Sequence, residues 1–308
     1  LIAFLQYATQ ILFALLMVSM MFIMLPRAAA SATRINEVLA MEPEIVDAAQ
    51  VRRTGDERGH VEFQDVTFSY PGAEEPAISH ISFSANPGEI TAIIGGTGAG
   101  KSTLVSLIPR FYDVDSGKIL VDGIDTRDMA QEHLREKIGF VPQKAVLFSG
   151  TIEDNIKFGK EDATDDEVQR AAGIAQATEF IEEMPDTFSA VIAQGGTNVS
   201  GGQKQRLSIA RALVRKPEIY VFDDSFSALD FKTDAKLRAA LKQEIAESTV
   251  FIVAQRVNTV MDADRIIVLE DGHIAGIGTH QELMATSEVY REIVSSQLSS
   301  EEIAGGIA

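Results

Sequence analysis

The stretch Gly95-Gly96-Thr97-Gly98-Ala99-Gly100-Lys101-Ser102 decides the fold of this chain. It follows Ile90–Ile94, a short and largely apolar run of the kind that buried parallel strands show. A helical pattern comes after it, so the motif G-x-x-x-x-G-K-[ST] stands in its required strand–turn–helix setting. The glycines let successive backbone N–H groups turn inward around a phosphate, and the helix start adds positive potential. In such a loop Lys101 reaches the β- and γ-phosphates of a nucleotide, and the Ser102 hydroxyl ligates Mg²⁺. Downstream, Ile219–Phe222 is a second buried run, and it ends in Asp223, the acid such a site needs as a further Mg²⁺ anchor.

The pattern around this motif alternates strands with helices. Thr249–Ala254 and Arg265–Leu269 read as further strands, and Asp165–Ala175, Gly202–Arg215 and Lys232–Glu247 as helices. Val61, Phe63, Val66 and Phe68 belong to one or two strands ahead of a turn at Pro71–Gly72. An α/β layer domain over residues 61–298 follows, with a tail at 299–308.

Residues 1–41 read differently. No charged residue occurs from Leu1 to Pro26. A helix over Leu1–Leu25 would be about 37 Å long, enough to cross a hydrocarbon core of about 30 Å. Gln6, Gln10, Phe13, Met17, Met20 and Met24 share one face of it. The basic residues Arg27 and Arg34 follow the apolar run, which places the α/β domain on the cytoplasmic side. The first residue is Leu within an apolar run, so the sequence reads as the tail end of a longer, multi-pass protein of the cell membrane. Residues 42–60, with Pro43, Gly55 and the charged stretch RRTGDERGH, read as a linker.

Composition narrows the function. The 308 residues allow one or two domains, and 45% hydrophobic content supports a packed core. A net charge of −18 disfavours nucleic acid as a partner, because that binding rests on neutralising phosphates with Lys and Arg. Any phosphate must be held by a local device. Without cysteine there is neither a disulfide framework nor a thiol nucleophile. Asp113–Gly117 begins like a calcium loop, but Lys118 and Ile124 break the pattern, so it reads as a turn.

Val199-Ser200-Gly201-Gly202-Gln203 leads directly into the helix KQRLSIARALVRK and forms a second anion-binding helix start. Two such starts in one chain point to a second molecule's nucleotide. Here the sequence resembles the ATP-binding cassette family, in its exporter type with membrane helices and ATPase fused in one chain. The resemblance implies a P-loop ATPase with a β-subdomain and a helical subdomain, preceded by one transmembrane helix, with ATP and Mg²⁺ as cofactors. It makes Tyr70 the aromatic that stacks on adenine and extends the ATP-binding set through Gly95–Thr103. Gln143 in FVPQ matches the glutamine that contacts Mg²⁺ and connects the nucleotide to the membrane helices. VLFSGTIEDNI, residues 146–156, is the exporter-type stretch that follows. Val199–Gln203 match the signature motif that caps the γ-phosphate on the opposite subunit, and Ser227–Asp230 match the loop that lies across the dimer interface.

The chain departs from the family pattern at two catalytic positions. The usual glutamate after the Walker B aspartate is Asp224, and the usual switch histidine is Gln255. Asp is one methylene shorter, and about 1 Å of misplacement can cost a hundredfold in rate. Gln donates a hydrogen bond but cannot become cationic or relay a proton. Gln194, where exporters often have glutamate, is a smaller departure. Together these residues imply a degenerate site that binds ATP and hydrolyses it slowly. The intact signature then serves a homologous half-transporter carrying the glutamate and histidine, in a heterodimer that sits in membrane lipid and exports an unidentified substrate. The competing expectation is a regulatory subunit whose ATP holds a dimer together without useful turnover.

Overall fold

The computed structural model describes residues 1–48, 52 and 58–298. Its centre is a six-stranded sheet in the order β12-β11-β3-β10-β9-β6. These strands are β3 (Ile90–Gly95), β6 (Ile138–Val141), β9 (Ile219–Asp223), β10 (Thr249–Val253), β11 (Arg265–Glu270) and β12 (His273–Gly278). All pairings are parallel except that of β12 with β11. Successive residues of β10 alternate between two buried clusters, Val250 and Ile252 in one, Phe251 and Val253 in the other. Burial on both faces is why these strands read as nearly unbroken apolar runs.

The second sheet is antiparallel, in the order β2-β1-β4-β5, built from β1 (Val61–Phe68), β2 (Ile78–Ala85), β4 (Ser116–Val121) and β5 (Ile124–Asp125). Its apolar residues share one cluster with the helix α2 (Lys101–Ser106) and one face of the central sheet. Phe63 stacks on Phe83 at 4.6 Å, and Phe83 meets Phe251 edge-on at 6.4 Å. The doubtful spacing of Val61, Phe63, Val66 and Phe68 resolves as one strand. Asp65 takes φ +50°, and the pairing register shifts between Phe63 and Val66, so all four apolar side chains stay buried.

The other face of the central sheet carries helices. The short helix α3 (Gln131–Glu136) instead buries Leu134 in the cluster of the second sheet, while on this face α4 (Ile152–Lys157) precedes α5 (Asp165–Ile174), α6 (Thr178–Glu182) and α7 (Gly201–Leu213). A two-residue antiparallel pair, β7 (Gly150–Thr151) with β8 (Val191–Ile192), closes this helical region. Then come α8 (Phe231–Glu244), α9 (Val257–Val260), α10 (His280–Thr286) and α11 (Glu288–Gln297). All three helices read from the sequence pattern end short of that reading, α5 by one residue at Ile174 instead of Ala175. The α7 helix stops at Leu213 instead of Arg215, ahead of Lys216 at φ +50°, and α8 stops at Glu244 instead of Glu247. The α5 start matches the acidic run, with Thr164 and Glu167 forming a reciprocal cap.

Residues Leu1–Val46 form a unit of their own. Its helix α1 (Ile2–Leu39) is continuous through Pro26, and its most apolar window has a mean hydropathy of 2.2, long and apolar enough to cross a bilayer. Of the linker expected over 42–60, residues 49–51 and 53–57 lie outside the described residues, as does the tail expected over 299–308. Asp47 already belongs to the second unit. Its carboxylate accepts from the Gln131 backbone N–H at 3.0 Å and from the Gln131 side chain at 3.1 Å, which keeps its pKa low.

At the β6 edge, Lys137 Nζ lies 2.9 Å from Asp122 Oδ2 and 2.6 Å from Glu218 Oε2. Burial opposes its charge, but these two partners outweigh burial and hold its pKa above the ordinary lysine value. The Asp122 side chain is fully buried, so Lys137→Met would strand a carboxylate. We expect that variant to lose about 3 kcal/mol in urea unfolding. Adding Asp122→Asn should restore much of the loss.

Candidate functional site

Four of the parallel strands, β3, β10, β9 and β6, end at one edge, where their following loops meet. The first loop turns at Gly98 and Gly100, with φ +85° and +94°. A Cβ on Gly100 would lie 2.7 Å from Ile78 Cγ2 and 2.8 Å from the Ala77 carbonyl oxygen, so both conformation and space require glycine there. Lys101 folds back over the loop, donating to the carbonyls of Gly95 at 2.8 Å and Gly96 at 2.6 Å. Burial lowers its pKa, and the charges of Asp224 and Asp223 oppose that shift. Ser102 Oγ donates to Asp223 Oδ1 at 2.8 Å. Burial raises the Asp223 pKa and the Asp224 charge adds to it, against the hydrogen bond from Ser102. At the far end of the cavity the Tyr70 hydroxyl lies 3.0 Å from Thr103 Oγ1, and its ring meets Phe68 and Tyr112 edge-on.

Asp224 takes φ +46° and is buried. Its Oδ2 accepts from Gln143 Nε2 at 2.9 Å and from Gln255 Nε2 at 2.8 Å. Two amides thus converge on one carboxylate oxygen. Tyr70, Lys101, Ser102, Gln143, Asp224 and Gln255 all line a single cavity of about 310 Å³. Lys101 and Gln255, 154 positions apart (255 − 101), are brought together by the adjacency of β3 and β10.

The signature residues are not in that cavity. Ser200 Oγ accepts from the Gln203 N–H at 3.3 Å, and Gln203 Oε1 accepts from the Ser200 N–H at 2.8 Å, a capping box that starts α7. Ser200 and Gly201 are exposed, and Val199 is half-buried. A Cβ on Gly202 would stand 3.2 Å from the Ala228 carbonyl, so the helix start abuts the 227–230 loop. That loop is tied to the cavity by Ser227, whose Oγ donates to the Asp224 carbonyl at 2.9 Å. Asp230 caps α8 by accepting from the Thr233 N–H at 3.0 Å. Gln194 lies exposed in a single 3₁₀ turn.

Two residues that the sequence reading did not single out shape these loops. Arg211 binds the Asn155 and Val146 carbonyls at 2.8 and 3.0 Å and lies 5.1 Å over the Phe148 ring, fixing the 146–156 stretch. Gln297 bonds to the backbone on both sides of Arg256. Neither position carries a local motif; only the tertiary fold reveals them.

A glycine cradle with a lysine, a Ser–Asp pair beneath it and a separate capped helix start outside the cavity define a nucleotide-binding domain of the cassette type. Residues 78–227 match the family model described as ABC transporter, and the chain carries an ABC transporter ATP-binding domain. It is 47% identical over 309 residues to an ABC transporter ATP-binding protein of Mycobacterium tuberculosis, covering 99% of this chain and 53% of the relative. It is 46% identical to YfiB of Bacillus subtilis, described in the same terms, covering 97% of this chain and 52% of that one. Among solved structures, a bacterial Atm1-family ABC exporter with ATP bound is similar with a TM-score of 0.83 and 33% identity, covering 89% of this chain and 48% of that chain. The chain therefore spans about half the length of the curated relatives it matches.

Gly100→Ala tests the cradle. The added methyl meets Ile78 and the Ala77 carbonyl, and the left-handed backbone is strained for alanine. We expect Mg-ATP affinity, read by displacement of a fluorescent ATP analogue, to fall about tenfold or more.

Proposed function

We propose that this chain is the ATP-binding subunit of a membrane exporter, holding Mg-ATP at a slow site of its own and completing a faster site on a homologous partner. The observation that carries this reading is the closed arrangement Gln143–Asp224–Gln255. A general base must aim a free lone pair at the attacking water. Here the carboxylate is one methylene short of glutamate, and Oδ2 is already engaged by two amide donors. Gln255 supplies a neutral donor where a histidine could carry charge.

The remaining residues suit nucleotide binding. Backbone N–H groups of the glycine loop and Lys101 hold the phosphates, and Tyr70 offers a half-exposed ring for adenine. The donor set of the Ser102 hydroxyl, the Asp223 carboxylate and the Gln143 amide oxygen is hard oxygen chemistry that fits Mg²⁺. When bound, that ion would neutralise phosphate charge and bridge the phosphate oxygens. Ser200–Gln203 start an exposed helix end outside the cavity, which leaves them available to a second nucleotide-binding domain. The partner is a homologous half-transporter with glutamate and histidine at the two altered positions. With α1 in the membrane, the ATP-binding domain is cytoplasmic and the exported substrate is unidentified.

The chain alone should bind Mg-ATP with turnover far below the order of 1–10 s⁻¹ expected of an active exporter. Asp224→Glu combined with Gln255→His should raise hydrolysis at least about tenfold once a dimer forms. An unmodified chain that turned over at the ordinary rate by itself would sink the slow-site reading.

Ser200→Arg separates the two sites. In the assembled heterodimer it should remove most ATPase activity while ATP binding at this chain's Lys101 and Ser102 stays unchanged. Bulk and charge at that helix start would block the partner's γ-phosphate. Undiminished hydrolysis would rule out the role in trans; a complex with no turnover before or after the change would point to the regulatory subunit instead.

A further inference from the structure

We propose that Gln297 is a positioning residue for the Gln255 loop, through which the C-terminal helix pair acts on the γ-phosphate end of the site. The sheet ladder ends at Ala254, whose N–H donates to the Ile93 carbonyl at 3.1 Å. The α9 helix begins at Val257, and the residue before it, Arg256, provides no side-chain cap. Gln255 and Arg256 are therefore spanned by neither element. Gln297 bridges that gap. Its Oε1 accepts from the Val257 N–H at 2.9 Å, and its Nε2 donates to the Gln255 carbonyl at 2.8 Å. One side chain thus satisfies an orphan donor at a helix start and fixes the carbonyl two residues earlier.

The chemistry accounts for the residue type. A single side chain must accept at one atom and donate at the other, which the primary amide does and a carboxylate or an alkyl chain does not. The platform behind it is firm. Tyr290 and Val294 of α11 are fully buried, Leu298 is buried just beyond, and the Tyr290 hydroxyl bonds to His280 Nδ1 at 2.7 Å. In front, Gln255 reaches Asp224, and Arg256 Nη2 donates to the Ser227 carbonyl at 3.3 Å. A change in α11 would therefore shift the backbone that aims Gln255 without touching Lys101 or Ser102.

This inference rests on the reading of Gln255 as the group facing the γ-phosphate, and the test separates the two. ATP and ADP affinities of the full chain in detergent with Mg²⁺ would be measured by competition with a fluorescent nucleotide. Gln297→Leu, which removes both bonds, should weaken ATP about fivefold, the scale of one hydrogen bond, and leave ADP within about twofold. Gln297→Glu, which keeps the acceptor and loses the donor, should fall between. Gln255→Ala should lower the ATP-over-ADP preference by itself, and adding Gln297→Leu to it should lower the preference no further. Equal weakening of ATP and ADP by Gln297→Leu, or no change beside a responsive Gln255→Ala, would overturn the positioning role alone. An unaltered preference in Gln255→Ala would overturn both that reading of Gln255 and the role of Gln297.

Discussion

The whole site depends on the register of three parallel strands. Ile93 of β3 stands level with Val253 of β10, and Val253 with Asp223 of β9. Each strand then runs out within two residues, releasing the glycine loop, the Gln255 loop and Asp224 at one edge. The β6 strand joins at the outside and delivers Gln143 to the same place. Parallel strands present all their carboxyl ends together, so a crevice at that edge collects residues that sequence keeps far apart. A slip of one residue in β10 would turn Phe251 and Val253 to the wrong face and carry Gln255 away with them.

Electrostatics sets the second constraint. A chain of net charge −18 must hold an anion by local means. Backbone dipoles at the glycine loop and one half-buried lysine supply the positive potential. Two buried carboxylates, Asp223 and Asp224, stand directly behind it. Burial and mutual repulsion raise the Asp223 pKa, so the pocket by itself disfavours a second full negative charge at its floor. That is the environment in which a bridging divalent cation gains most, because it offsets the carboxylate and the phosphate together.

The parts of this arrangement that were legible in the sequence were those with local signatures. The glycine loop, the apolar strands and the Ser200 helix start each follow from a short pattern whose physics is contained in a few residues. The strands β2, β4 and β12 carry no clear local pattern, because Ser, His, Lys and Gly interrupt them and only their pairing gives β2 and β4 a buried side and β12 a half-buried one. The role of Asp65 as a bulge could not be separated from a strand end until the register was visible. The bonds of Gln297 and Arg211 join positions 42 and 56 residues away, beyond any window of local pattern.

The two altered residues, Asp224 and Gln255, cannot be treated as independent losses. They bond to each other at 2.8 Å, and Gln143 completes the contact at 2.9 Å. Neighbours that share a partner couple, so each substitution changes the meaning of the other. A glutamate placed at 224 alone would push a longer carboxylate into an amide already positioned for a shorter one. A histidine placed at 255 alone would meet an acid withdrawn by a methylene. The scaffold meanwhile keeps the Gly100 turn, the Ser102–Asp223 bond and the tie from Ser227 to the Asp224 carbonyl, the parts on which the proposed ATP binding rests. If the site is slow, as we propose, its occupancy rather than its turnover would be the useful property. Bound ATP there would hold this domain's surfaces, including the exposed Ser200 helix start, in the form a partner can close upon.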